Sequence, residues 1–323
     1  MVDVNALIDA EDVPALLFEI DVLCGDGDWD ALEMVAQRCR DAIDRGRQLW
    51  PVASHVDYRL ALEAPGRWAA SVLERSSRFT LGPLTEVAAT THTWAEIAPH
   101  LPGAHVAAVI AQERVLRGED LRGVPGTGPG VFELPMALAA GESGHRLPEY
   151  RAHDADFGDP VEPDGIEIVE PGSGAGSGDA APAAAAVRDL FEAWTADSDG
   201  SCVLATSASS AACAAASVAG TGSGALRMAE VDAGTALVWL TWAGASGGAH
   251  ARRRGGATGR FQAWWAATAL AGADWPPGGV EPLSRVSWFW WEPLPRPAGL
   301  VCGLAVEDHR SATSTAVWAV APP

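Results

Sequence analysis

Apolar residues recur at intervals of three and four from about residue 13 to residue 117, as in Trp29, Leu32, Val35, Cys39 and Ile43 and again in Leu84, Val87, Ala88, Thr91, Trp94 and Ala95. That spacing lines one face of an α-helix. Six amphipathic helices are expected, near 13–23, 29–45, 50–63, 67–78, 83–98 and 103–117, parted by short breaks such as Gly25-Asp-Gly, Ala64-Pro-Gly and Pro102-Gly. Short breaks make consecutive helices antiparallel neighbours. Asp28 and Asp30 suit the positive end of the second helix, and Pro14, Pro51 and Pro83 fall where a first-turn proline sacrifices no hydrogen bond. These prolines open alternate helices 37 and 32 residues apart, so the expected N-terminal domain, 1–122, is either a helical bundle or a short two-helix repeat.

The helical period stops near residue 118. Residues 123–182 read as a connection, comprising Gly123-Val-Pro-Gly-Thr-Gly-Pro-Gly, an acidic stretch with nine carboxylates from Glu142 to Glu170, and the linker-like Gly172-Ser-Gly-Ala-Gly-Ser-Gly-Asp-Ala-Ala-Pro. A second domain, 183–323, then mixes periods. Helices are expected at 183–196, 208–218, from an Asp232 cap to about Trp242, and at 258–271. Strands are expected at 201–206, 226–231, 285–292, 299–307 and 314–320, which gives an α/β or α+β domain ending in an antiparallel meander. Val286, Trp288 and Trp290 alternate with Ser287, Phe289 and Trp291, so aromatics fall on both faces of one strand. The second face must meet a helix layer, a ligand or a partner.

Composition narrows the chemistry. All 22 basic residues among the 323 are Arg, which removes a Schiff-base amine, a phosphate-loop lysine and a Ser-x-x-Lys pair. The net charge of −20 divides unevenly: residues 1–200 hold 35 acids and 14 Arg (−21), residues 201–323 hold 7 acids and 8 Arg (+1). A mean field of that sign opposes binding to nucleic acid or to an anionic membrane surface. It also permits an acidic inhibitor of a nucleic-acid-binding protein. The five cysteines, Cys24, Cys39, Cys202, Cys213 and Cys302, form no C-x-x-C pair and are read as reduced thiols. The acidic start lacks a signal-peptide pattern and no apolar run reaches about 18 residues, so a cytoplasmic protein without an anchor is expected.

The segment with most chemical content is Gly247-Gly-Ala-His-Ala-Arg-Arg-Arg-Gly-Gly-Ala-Thr-Gly-Arg-Phe. A glycine-rich turn before a helix lets backbone N–H groups approach an anion, and arginines pair with phosphate or carboxylate. The candidate ligand set is His250, Arg252, Arg253, Arg254, Gly255, Gly256, Thr258 and Arg260. The structural alternative is that these arginines dock the acidic 142–170 segment or cap helix carbonyls. No phosphate fingerprint matches, because Walker A needs Lys and the glycines are wrongly spaced for G-x-G-x-x-G.

Weaker patterns surround it. Gly244-Ala-Ser-Gly-Gly fits G-x-S-x-G, with Asp274 and His309 following in α/β-hydrolase order, but the segment after it is not a clear helix. His309 beside Glu307 and Asp308 is either a general base with an orienting acid or a solvated strand end. Two acidic runs, Asp26-Gly-Asp-Trp-Asp and His153-Asp-Ala-Asp-Phe-Gly-Asp, lack the sixth-position Gly and closing Glu of a Ca²⁺ loop. His100 and His105 have Pro102-Gly103 between them and the wrong spacing for a helical metal pair. Nine of the 14 tryptophans lie between Trp239 and Trp318, as a core or as walls for a flat ligand. No catalytic residue, metal ligand or cofactor is read.

The run from Ala245 to Phe261, together with Trp264-Trp265 and Leu304-Ala-Val-Glu-Asp, resembles a family of hypothetical proteins from GC-rich bacteria. The resemblance covers the last third of the chain, extends in part to the helices, and implies that the Arg-Gly segment is a family feature; it implies no activity. Two functional readings result. One is an interaction or regulatory protein that binds a protein partner through its helical module or Trp-rich surface. The other is a binder or enzyme for an anionic or phosphorylated small molecule held by the 252–260 segment.

Overall fold

The computed structural model describes the chain except residues 1–2, 76–78, 128–131, 172–180, 220–223 and 251. Most of the linker-like 172–182 run therefore lies outside the described residues. The chain divides into two compact units, Met1–Arg117 with Pro148–Phe157, and Gly118–Leu147 with Gly158–Pro323.

The first unit is helical: α1 Val4–Ala10, α2 Val13–Asp26, α3 Trp29–Asp44, α4 Trp50–Glu63, α5 Gly66–Ser71, α6 Leu84–Thr91, α7 Trp94–Ile97 and α8 Ala104–Leu116, with a hairpin of β1 Glu149–Tyr150 and β2 Ala155–Asp156. Asp3, Asp12 and Asp28 cap α1, α2 and α3 through their carboxylates, satisfying backbone donors that a helix start leaves free. α4 is the hub: it packs on α2, α3, α5 and α6, and every residue from Val52 to Leu62 except His55 is buried. Helices gathered around one buried helix make a bundle, which decides between the two arrangements the proline spacing allowed. Three expected spans change. α1 precedes the first expected helix, the 67–78 helix ends at Ser71, and the 83–98 helix is two. The break falls where Thr93 and Glu96 form a capping box and His92, extended at ψ 134°, places its ring nitrogens on Ala88 O and Ala64 O. A new cap inside the periodic run starts a second helix with a different axis.

The second unit is a six-stranded sheet, wholly antiparallel, in the order β3-β5-β6-β7-β8-β4, where β3 is Glu167–Val169, β4 Ser201–Ser207, β5 Leu226–Val231, β6 Ser287–Pro293, β7 Leu300–Asp308 and β8 Thr313–Ala321. The expected meander is β6-β7-β8, and the unit is α+β. Its helices are α9 Ala181–Leu190, α10 Glu192–Ala196, α11 Ala211–Ala219, α12 Ala233–Ser246 and α13 Gly256–Leu270. One sheet face, with Trp288, Trp290, Leu304, Val306 and Val317, packs on α9, α12 and α13; the other, with Trp291, Val301, Ala305, Ala316 and Trp318, packs on α11. The second aromatic face of β6 thus meets a helix layer. Gly303 permits this packing, since a Cβ there would collide with Trp291 O and approach the Trp318 ring to 3.0 Å, where Trp291 and Trp318 lie with centroids 4.9 Å apart. α12 and α13 approach through Gly244 and Gly259, and a Cβ on Gly259 would strike Thr241 O and Ala245 N of α12.

Among the described residues of 118–170, none from 151 to 170 is buried, as a surface connection would have it, but the stretch before them is anchored in the fold. Leu134, Glu142 and Tyr150 are buried, and residues 167–169 add an edge strand to the sheet. Glu142 explains the difference: its Oε1 accepts from Arg260 Nε and Trp264 Nε1 at 2.9 Å each, and its Oε2 from Arg260 Nη2 at 2.9 Å and Ala139 N at 2.6 Å. Arg260 also donates to Pro135 O and Ala137 O. A charged pair with every group bonded can be buried, and it ties the acidic segment to α13. No described helix is long and apolar enough to cross a membrane.

Candidate functional site

The loop between α12 and α13 is built by glycine. Gly247 closes α12 at φ 76°, Gly248 follows at φ 78°, and a Cβ on Gly247 would strike the Arg252 carbonyl. Only residues tolerant of positive φ turn the chain back this tightly. The loop is fixed by Arg254 N to Ala245 O at 2.8 Å and by buried Ser198, which accepts from His250 N at 3.1 Å and donates to Gly247 O at 3.4 Å. Trp194 of α10 is anchored from below, its indole N–H donating to Ala243 O and Ser246 Oγ at 3.0 Å each.

Between this loop and α10 lies a cleft of about 550 Å³ lined by Glu192, Ala193, Ala196, Asp197, His250, Arg252 and Arg254. Of the sequence candidates the fold brings His250, Arg252 and Arg254 together. Arg254 also reaches Asp189 O at 3.4 Å, which holds it against α9. The remaining candidates do not line the cleft. Gly255, Gly256 and Arg260 are buried, Arg253 and Thr258 are half-buried, and Arg260 is spent on Glu142. Glu192 and Asp197 are the residues sequence reading missed; Glu192 opens α10 and Asp197 caps its C-terminal end, and no motif links them to the loop. The cleft is therefore of mixed sign, with carboxylates on one wall and guanidinium groups on the other.

The other patterns resolve as follows. Ser246 of the G-x-S-x-G run ends a helix instead of following a strand, and its hydroxyl donates to Ala243 O at 3.0 Å, which is not the strand–turn–helix of a nucleophile elbow. His309 Nε2 lies 3.0 Å from Ser287 Oγ and its Nδ1 3.9 Å from Glu307 Oε1, at an exposed strand end, and none of the three lines the cleft.

In the helical unit, Asp21, His55 and His153 each place a ligand atom within 4.8 Å of the others. No spacing rule finds them, because they come from α2, α4 and the β1–β2 turn. Burial, with Arg59 and His153 nearby, pushes the His55 imidazole down to about 4.

No curated protein and no solved structure is similar enough to this chain to count as a match. One family model does match, and it spans residues 15–294, taking in the helices from α2 onward and the whole 247–261 segment but not α1 or Leu304–Asp308. On that match the chain belongs to DUF6183, a family of unknown function.

Proposed function

We propose that the C-terminal unit is a binding module for a small molecule that carries an anionic group and, a few ångströms away, a cationic or hydrogen-bond-donating group. The observation that supports this is the cleft itself: about 550 Å³, with His250, Arg252 and Arg254 facing Glu192 and Asp197. Arginine forks suit carboxylate or phosphate, and the opposing carboxylates suit an amine or hydroxyl. The volume fits an amino acid, a sugar phosphate or a nucleotide. A thermal-shift panel of those classes on the full-length protein tests the reading, since a ligand at a hundred times its Kd adds about 2.7 kcal/mol. A hit whose shift disappears in Arg252→Ala, with the unliganded melt unchanged, supports it. A blank panel, or a hit indifferent to Arg252→Ala and Glu192→Gln, rejects it.

A second reading, a protein partner docked on the helical unit, is favoured by Phe18 and Val22. They lie four residues apart on α2 and are 67% and 40% exposed, an apolar stripe on a helix face. Its test is whether Phe18→Ser with Val22→Ser abolishes a stoichiometric complex reconstituted from purified components.

A further inference from the structure

The β1–β2 hairpin belongs to the helical unit because two phenols hold it there. Tyr150 Oη donates to buried Glu86 at 2.6 Å, and Tyr58 Oη of α4 donates to Arg151 O at 2.5 Å. The turn is closed by Arg151 N to Asp154 O at 2.9 Å. These bonds carry His153 to α2 and α4, where its ring stacks on His55 with centroids 5.4 Å apart and its Nε2 lies 3.2 Å from Asp21 Oδ1. His55 Nε2 is shielded from solvent and has no hydrogen-bond partner. A polar nitrogen so placed has lost water without compensation, a cost that a ligand at this point would remove.

We infer that Asp21, His55 and His153 form a binding site for a divalent transition-metal ion of the zinc type. Two imidazoles and one carboxylate are donors for such ions, whereas Ca²⁺ and Mg²⁺ take oxygen. Donors around a tetrahedral ion at about 2.0–2.1 Å sit roughly 3.4 Å apart; His153 Nε2 and Asp21 Oδ1 are already 3.2 Å apart, so any closing falls to their separations from His55, which lie within 4.8 Å. His153 and Asp21 have room for that movement, since their side chains are 60% and 40% exposed. Asp21 also pairs with Arg59, but Arg59 grips Glu63 with two further bonds, at 2.8 and 3.0 Å, and stays neutralised when Asp21 turns to the ion. The exposed side leaves a coordination position for water. This site is independent of the cleft in the other unit.

The test is a Zn²⁺ titration by calorimetry on chelator-stripped full-length protein, with Co²⁺ absorption reporting coordination. One ion per chain is expected. His153→Ala and Asp21→Asn should each weaken binding by about tenfold or more, with melting and far-ultraviolet dichroism retained, while exposed His105→Ala leaves it unchanged. Absence of one-to-one binding at about 100 μM Zn²⁺ overturns the site. So does an ion held equally by wild type, His153→Ala and Asp21→Asn, which would place it elsewhere on the chain.

Discussion

Arg260 shows how a residue's surroundings choose between two chemistries its type allows. Its guanidinium is wholly buried on Glu142, with Trp264 and two carbonyls completing the shell. Burial alone raises the Glu142 carboxyl, but the Arg260 hydrogen bonds and charge outweigh it and hold the group below its ordinary value. Arg260→Ala should therefore cost about 3–5 kcal/mol in chemical denaturation, because it strands a buried charge; a ligand residue would cost little stability. Nearby His145 has the opposite problem. Burial, with Arg260 adding to it and Glu142 opposing, pushes its imidazole down to about 4. The unfolded chain takes up that proton near pH 6.5 and the folded one resists until about 4, so stability is full above 6.5 and falls as pH drops through that window. His145→Gln should flatten the slope of denaturation midpoint against pH between those values.

At the scale of elements, the periodic signal located every long helix and five of the six strands of the larger sheet, but not the two-residue strands β1 and β2. Helix starts such as Asp28 and Asp232 were readable because capping is local. The errors fall where a local signal competes with another, as at the Thr93–Glu96 box, or where a strand is too short to show alternation, as at Glu167–Val169. Gly303 is a case of an element set by its neighbours, since the ring packing above it needs a residue without Cβ. Gly303→Ala should destabilise by about 1–3 kcal/mol, read as a lower denaturant midpoint at unchanged slope. If the midpoint does not move, the Trp291–Trp318 packing is looser than the contact implies.

For the whole molecule, thiol chemistry follows from burial. None of the five cysteines forms a disulfide, and burial pushes the Cys24, Cys39 and Cys202 thiols up to about 12, 11 and 12. The native protein should label slowly with a disulfide reagent at neutral pH and release all five equivalents in denaturant. Rapid native labelling would mean that one of these cores opens readily.

The division of labour between sequence and structure is physical. Periodicity, caps and composition act over a few residues, so the chain by itself determined a helical first part, an α+β second part with an antiparallel meander, and the Arg-Gly loop as the place to look for ligand chemistry. The tertiary structure alone decided which arginines face a cleft and which are consumed, because Arg260 meets Glu142, and Arg252 comes to line one cleft with Glu192 and Asp197, only after distant segments dock. It alone gathered Asp21, His55 and His153, whose nearness rests on hydrogen bonds from Tyr58 and Tyr150. Contacts between elements depend on packing in three dimensions, and no spacing along the chain encodes them.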